Sequence, residues 1–253
     1  MVLEYADGAL LHVPLYQAGS VSRYLGGGKG SLVKLHRLGG VKWGNDKQAT
    51  TEAVHQYAAE MLRLRAVRAA SSGLNLPHCE VAEHGFAAMF RFTETPDQLR
   101  SIAEIDEDLG SGKPMDRLLC GDVGYGKTEI AMRAAFKLVH AGYQVALMAP
   151  TTVLAQQHYY SFLERFSGYP FTIEMLSRFR SVSEQKRILE QLESGGVDIV
   201  IGTHRLAQSD LKFKNLGLVI VDEEQRFGVK VKDRLLRLRS EEHTSELQSL
   251  AYL

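Results

Sequence analysis

The chain has 253 residues, 45% of them hydrophobic, with 30 basic and 30 acidic side chains and a formal net charge of +0. That is enough apolar content for a sizeable core, in one large domain or a medium one with an appendage, and the balanced charge means that any basic surface is local. No apolar run approaches membrane-spanning length and no signal peptide opens the chain, while two distant cysteines, Cys79 and Cys120, argue for a reducing cytoplasm and against a disulfide framework.

The first residues read as hairpin material. Residues 2–5 and 10–14 flank Asp7-Gly8, a strong turn signal. Two such strands are not a stable unit alone, so this is an appendage or the end of a small barrel. Gly26-Gly27-Gly28-Lys29-Gly30 reads as a flexible linker. From about Asp46 to Ala70 the pattern turns helical, with Ala49, Ala53, Tyr57, Met61 and Leu64 on one stripe. Arg63, Arg65 and Arg68 crowd the last turns, where a solvated helix end accounts for them more simply than a nucleic-acid contact. Ser71-Ser72-Gly73 stops the helix and Pro77 follows. His78 beside Cys79 lacks the second pair of ligands that a metal site needs. Residues 86–98 carry no clear period, and Phe90 and Phe92 read as core anchors. Thr95 before Pro96 suits an N-cap with proline at the first helical position, opening a helix through Ile102 and Ile105.

The next stretch is the most informative. An apolar run (Leu118, Leu119, Cys120) leads into Gly121-Asp122-Val123-Gly124-Tyr125-Gly126-Lys127-Thr128. Ile130, Ala131, Ala134, Ala135 and Leu138 then follow at helical spacing. This is strand, glycine loop and helix, matching G-x-x-x-x-G-K-[ST]. Glycines let backbone N–H groups turn inward around a phosphate, and the helix N-terminus behind them adds partial positive charge. Lys127 is expected on the β- and γ-phosphates, and the Thr128 hydroxyl on Mg²⁺.

After the loop, strands and helices alternate. Residues 145–148, 171–176, 198–201 and 218–221 read as strands; residues 153–166 and 183–193 read as helices. Strands continuous in Val, Ile and Leu indicate a parallel sheet covered on both faces, whose ligands sit at the strands' carboxyl ends. Those ends carry Gly121 to Thr128, Pro150 to Thr152, Gly202 to Arg205 and Asp222-Glu223. Four apolar residues followed by Asp-Glu form the second nucleotide signal. Asp222 suits the Mg²⁺ shell, and Glu223 suits a base for the attacking water.

Together these pieces resemble the first motor domain of superfamily-two helicases and translocases. The resemblance implies an α/β, RecA-like P-loop fold with a mostly parallel sheet, and ATP and Mg²⁺ as cofactors. Phe92-Thr93 with Gln98 has the spacing of that family's adenine-reading motif, which implies Gln98 on the adenine edge and an aromatic, Phe92, stacked on the ring. Residues 150–158 (PTTVLAQQH) and 202–206 (GTHRL) look like motifs that contact the nucleic-acid backbone in relatives. They point to Thr151, Thr152, Thr203, His204 and Arg205 as DNA contacts, with Arg178 in the Ser177-Arg178-Phe179-Arg180 loop a further candidate.

A closer resemblance, over about residues 1–238, is to the bacterial transcription-repair coupling factors. It is carried by MDRLLCGDVGYGKTEIAMRAAF, PTTVLAQQHY, LSRFRSVSEQK and DIVIGTHRLAQSDLKFKNLGLVIVDEEQRFGVK. It implies ATP-driven tracking on double-stranded DNA that displaces stalled RNA polymerase, with excision-repair proteins engaged through regions outside this chain. Residues 1–30 then correspond to the end of a polymerase-interacting barrel with its glycine linker, 31–75 to a connecting helix, and 76–238 to a truncated first motor domain. Two departures limit the expectation. The Thr-Ala-Thr-Pro strand expected after residue 240 is missing, which leaves an unfilled slot in an incomplete sheet. The second motor domain and its arginine finger, worth roughly 10³–10⁵ in rate at comparable sites, are missing too, so weak or absent hydrolysis is expected. Residues 239–253 instead resemble a translated sequencing adapter and read as a non-native tail whose deletion leaves folding unchanged. The competing readings are a non-hydrolysing polymerase-binding fragment and a related superfamily-two DNA helicase.

Overall fold

In strand β4 (Gln144–Met148) all five side chains are buried. Val145 and Leu147 belong to one core cluster, and Ala146 and Met148 to another. This period of two, with both faces apolar, marks a strand covered by helices on each side. The computed structural model describes residues 1–22, 35, 37–77, 79–208, 210–228, 231 and 249–252. The chain divides into two units, Met1–Arg63 and Leu64–Leu253. The glycine linker, His78 and residues 239–248 lie outside the described residues, as do the side chains of Leu64 and Arg68. Among the described residues no helix is long and apolar enough to cross a membrane.

In the first unit, β1 (Val2–Glu4) and β2 (Leu10–His12) pair antiparallel, with Leu3 opposite Leu11. The turn uses Gly8 at φ +73°, and Asp7 accepts from the Ala9 amide. Helix α1 (Val41–Ala69) begins five residues before its expected start at Asp46 and ends before Ser71-Ser72-Gly73. The apolar stripe finds no core: Ala49, Ala53 and Tyr57 are exposed, and no described residue of this unit is buried. Periodicity gives a helix one apolar side; burial needs a neighbour to cover it.

The second unit opens with α2 (Glu80–Ala88), where no element is expected from the sequence. Nine residues with one fully buried anchor, Phe86, are too few to display a helical period. Helix α3 (Pro96–Gly110) starts as expected, with the Thr95 hydroxyl and the Gln98 side chain forming a reciprocal capping box. Strand β3 (Asp116–Leu118) lies two residues before the expected apolar run. Its ladder ends at Leu118, and Arg117 is anchored by Asp108 and Glu104 of α3. Then come α4 (Lys127–His140), α5 (Thr152–Arg165), β5 (Ile173–Leu176), α6 (Val182–Ser194), β6 (Ile199–Gly202), β7 (Leu216–Val221) and β8 (Ser249–Tyr252). Helix α6 is capped by Ser181 through a capping box with Glu184.

All six strands of this unit form one parallel sheet in the order β3-β8-β7-β4-β6-β5. The expected central slot, between the phosphate-loop strand and the Asp-Glu strand, is therefore occupied. Ser249–Tyr252 pairs with Asp116–Leu118 on one side and with Leu218–Val221 on the other. Backbone ladders do not require the family's own sequence, only an extended segment able to satisfy both edges. The expectation that the whole tail is dispensable to folding meets a paired strand at these residues. Buried Gln144 ties the opposite end of the sheet together. Its Nε2 donates to the carbonyls of Leu192 and Val197 at 3.0 and 2.8 Å, and its Oε1 accepts from the amides of Lys214 and Asn215 at 2.8 and 2.9 Å. Every donor and acceptor of that amide is used.

Two outcomes follow. Gln144→Leu removes four hydrogen bonds and leaves the Val197 carbonyl and the Asn215 amide without a partner, while Leu192 and Lys214 keep their bond to each other; it should destabilise the fold by roughly 2 kcal/mol, measured by urea unfolding. Truncation after residue 248 reopens the slot and should lower the melting midpoint by roughly 5–15 °C in circular dichroism. An unchanged midpoint would show that β8 contributes nothing to the sheet.

Candidate functional site

The parallel direction of the strands puts every carboxyl end on one edge of the sheet. At the end of β3 the chain turns through residues 119–126 into α4. Gly124 and Gly126 hold φ +87° and +75°, the left-handed region that a side chain disfavours. A Cβ on Gly126 would also sit 2.5 Å from the Gln98 amide nitrogen. Gln98 explains this contact. Its Oε1 accepts from the Thr95 amide at 2.9 Å, while its Nε2 donates to the Tyr125 carbonyl at 2.9 Å. One side chain thus caps α3 and braces the glycine loop. Lys127 folds over the loop, its ammonium donating to the carbonyls of Gly121 and Asp122 at 2.6 and 3.2 Å.

At the end of β7 stand Asp222 and Glu223. Asp222 Oδ2 is 2.8 Å from Nε2 of His158, a buried residue on α5. Glu223 adopts φ 53° and ψ 49°, and is the one non-glycine residue with positive φ among the described residues. Its Oε2 accepts from Gln225 at 2.6 Å and lies 3.5 Å from Arg226 Nε. Left-handed backbone on an acidic side chain, costing about 1 kcal/mol or more, is a strain found at functional turns. One strand, β8, separates β3 from β7, so the two loops start about 10 Å apart.

A cavity of about 520 Å³ opens beside this edge, lined by Phe90, Phe92, Thr128, Glu129, His158 and Arg165 among others. Thr128, just after the glycine loop, and His158 share it, and His158 is bonded to Asp222, although neither the glycines of the loop nor Asp222 line the cavity. Phe92 is not a core anchor. It is 73% exposed, with Phe90 packed edge-on at 5.6 Å, because residues 89–95 form the connection between α2 and α3, and residues 89–92 line the cavity. The arrangement fits a magnesium–nucleotide. The loop carries two left-handed glycines, a lysine and the start of a 14-residue helix, and the amides of Val123, Gly124 and Gly126 have no protein acceptor among the described residues. Thr128 and Asp222 offer hard oxygen donors. No group of three or more His, Cys, Asp or Glu side chains converges among the described residues. A cation held by one carboxylate, one hydroxyl and ligand phosphates needs no such group.

Sequence reasoning missed the charge network under the cavity. Buried Glu129 accepts from Arg133 at 2.9 Å and from Arg165 at 2.7 and 2.9 Å; Arg133 reaches on to Glu94. The Arg165 guanidinium also lies 3.9 Å over the Phe86 ring. The only available signal was the acidic residue after Gly-Lys-Thr. Its partners lie 4 and 36 residues away, and the second spacing has no period to reveal it. His158 was missed for the same reason, being 64 residues from Asp222.

The residues expected at DNA occupy the other half of the edge, at the ends of β4, β6 and β5. Thr151 caps α5, accepting from the Leu154 amide at 3.2 Å, and Thr152 follows as the first helical residue. Thr203 precedes a short 3₁₀ turn, and His204 packs against Phe227 at 5.3 Å. Arg178 is exposed and lies over the Phe179 ring at 5.4 Å. Arg205 is already engaged, in a bidentate pair with Asp210 at 2.7 and 2.6 Å. That hydrogen-bonded guanidinium holds the Asp210 carboxyl below its ordinary range.

A glycine loop and an Asp-Glu turn on one edge of a parallel sheet define a RecA-like P-loop domain, and comparison with known proteins gives the family. Residues 95–250 match the DEAD/DEAH box helicase family, and the chain belongs to it. The chain is 49% identical over 240 residues to the transcription-repair-coupling factor of Escherichia coli K12, covering 95% of this chain and 21% of that protein. It is 47% identical over 238 residues to the Bacillus subtilis protein of the same name, covering 94% of this chain and 20% of that one. Among solved structures it is similar to RecG bound to a three-way DNA junction, with a TM-score of 0.65 and 37% identity over 75% of this chain and 25% of that one. The chain spans about one fifth of the length of these curated relatives.

The network carries a pH consequence. The hydrogen bond from Arg133 holds the Glu94 carboxyl below its ordinary value. The folded chain therefore binds fewer protons there than the unfolded chain. The stabilisation is in place at neutral pH and is lost as pH falls through the lowered value. Glu94→Gln should lower stability near pH 7 and flatten the loss of stability toward acid, measured by denaturant unfolding across pH 3–7 (roughly the carboxylate range).

Proposed function

We propose that this chain carries the ATP-binding half of a DNA translocase motor that acts in coupling transcription to repair. One observation carries the reading. The glycine loop and the Asp222-Glu223 turn lie one strand apart on the same sheet edge, and Thr128 shares a cavity with the histidine that holds Asp222. In this reading the open amides of Gly124 and Gly126, in a loop running from Gly121 through Tyr125 to Lys127, hold the β- and γ-phosphates together with the Lys127 ammonium, and the Tyr125 amide joins them on leaving the Asp122 carbonyl. Thr128 and Asp222 hold Mg²⁺, and a Glu223 carboxylate oxygen takes the proton of the attacking water. Gln98 keeps the loop braced and presents its amide near the adenine edge, while exposed Phe92 offers a face for the ring. Bound ATP supplies the phosphoanhydride bond whose hydrolysis drives movement. Lys127 must leave the carbonyls of Gly121 and Asp122 when a phosphate arrives, an exchange that a charge-assisted bond favours.

The substrate class is double-stranded DNA, gripped through its phosphates by Thr151, Thr152, Arg178, Thr203, His204 and Arg205. Arg205 contributes only after it exchanges Asp210 for a phosphate. Similarity to the coupling factors supports RNA polymerase as a partner of the β1–β2 hairpin, excision-repair proteins as partners of a longer protein, and a cytoplasmic setting. Titration with a fluorescent ATP analogue tests the central assignment. Lys127→Ala should weaken binding by about 100-fold, the loss of a charge-assisted phosphate contact. Unchanged affinity removes the glycine loop from the function.

A further inference from the structure

We propose that His158 is a positioning residue for Asp222, fixing the carboxylate that receives the magnesium ion from a helix that begins at a DNA-contact loop. The inference rests on the nucleotide reading above and concerns one side chain that the reading does not use.

Helix α5 directs Ala155, His158 and Phe162 into the interior, at i, i+3 and i+7. Ala155 and Phe162 are 0% exposed and belong to the core cluster. His158 is 8% exposed on the same face. An apolar side chain satisfies such a position, so a buried imidazole there calls for a polar partner. That partner is Asp222 Oδ2, at 2.8 Å from Nε2. Held by its packed neighbours, the ring has little freedom, and it fixes the carboxylate in turn. With Oδ2 engaged, Oδ1 is the oxygen of Asp222 without a partner among the described residues. It is the one left for a cation. His158 also lines the cavity that Thr128 lines, so one side chain meets both the cavity and Asp222.

The same ring connects two functions. Thr151 and Thr152 open α5, and His158 lies six residues along it, about 9 Å at the helical rise. Helix α5 is a rigid element with the DNA-contact loop at its start and the magnesium carboxylate hydrogen-bonded to its second turn. Hydrogen bonds that orient a metal-binding carboxylate in this way are worth roughly 10- to 100-fold in metal affinity.

The test compares wild type, His158→Leu and His158→Gln by titration with a fluorescent ATP analogue, once in Mg²⁺ and once in EDTA, with a thermal melt of each. His158→Leu should lose about 10-fold or more in affinity in Mg²⁺, require more Mg²⁺ for half-saturation and bind as wild type in EDTA. His158→Gln, which keeps an N–H donor near the position of Nε2, should recover most of the loss. Equal losses in Mg²⁺ and EDTA, or no loss in either, overturn the proposal. If His158→Leu melts too low to titrate, the ring ¹⁵N resonances of His158 in wild type decide. They should shift when Mg²⁺ is added to the nucleotide-bound protein, and silence overturns the proposal. Wild type that binds no nucleotide in either buffer sinks the nucleotide reading itself, an outcome separate from selective failure of the histidine variants.

Discussion

The parallel register of the six-stranded sheet is the constraint on which the rest of this structure depends. Because β3, β8 and β7 run in one direction, the loop after β3 and the turn after β7 emerge on the same edge. Their separation is set by hydrogen-bond spacing alone, two ladders of about 4.8 Å each. The spacer strand matters because β3 is paired only with β8 among the described strands. The glycine loop is thus attached to the sheet through a four-residue segment near the chain's end, and to α3 through Gln98, which holds the loop, and through Glu104 and Asp108, which hold Arg117 of β3.

The edge divides into two halves with different chemistry. Toward β3 and β7 lie the orphan amides of the glycine loop, Lys127, Thr128 and the two carboxylates, a set that suits phosphates and a hard cation. Toward β4, β6 and β5 lie small hydroxyl residues at helix starts, with Arg178 exposed over the Phe179 ring and Arg205 paired with Asp210. Helix α5 crosses between these halves, with Thr151 at its start and His158 on Asp222. Beneath it, Glu129 gathers two arginines into a buried network. That network fixes α4 to α5 and fixes α4 to the connection before α3. Breaking a buried pair by removing one partner leaves an uncompensated charge, so such a network holds the loop-bearing helix in one position more than it adds net stability.

The sequence by itself determined everything that short-range spacing can encode. The glycine loop, the Thr95 cap, the alternating strands and the apolar run before Asp222 all follow from patterns within about ten residues, where backbone geometry and period are local. Capping chemistry explains why the start of α3 was legible, and burial on both faces explains why the strands were. The same local reading placed β3 two residues late, since a strand's ends are set by its neighbours. It passed over α2, and it gave α1 an apolar stripe that no described neighbour covers.

Tertiary structure alone decided what meets what. The Gln98 contact with the glycine loop, the pairing of His158 with Asp222, the Glu129 network and the exposure of Phe92 join residues that no period links. The strand in the central slot belongs with these. The sequence signalled a missing strand, because the expected motif was absent. The fold required only that the edges of β3 and β7 be paired, and backbone donors and acceptors are the same in every residue but proline. Side-chain pattern names the elements of this protein; hydrogen-bond satisfaction across the sheet arranges them into a site.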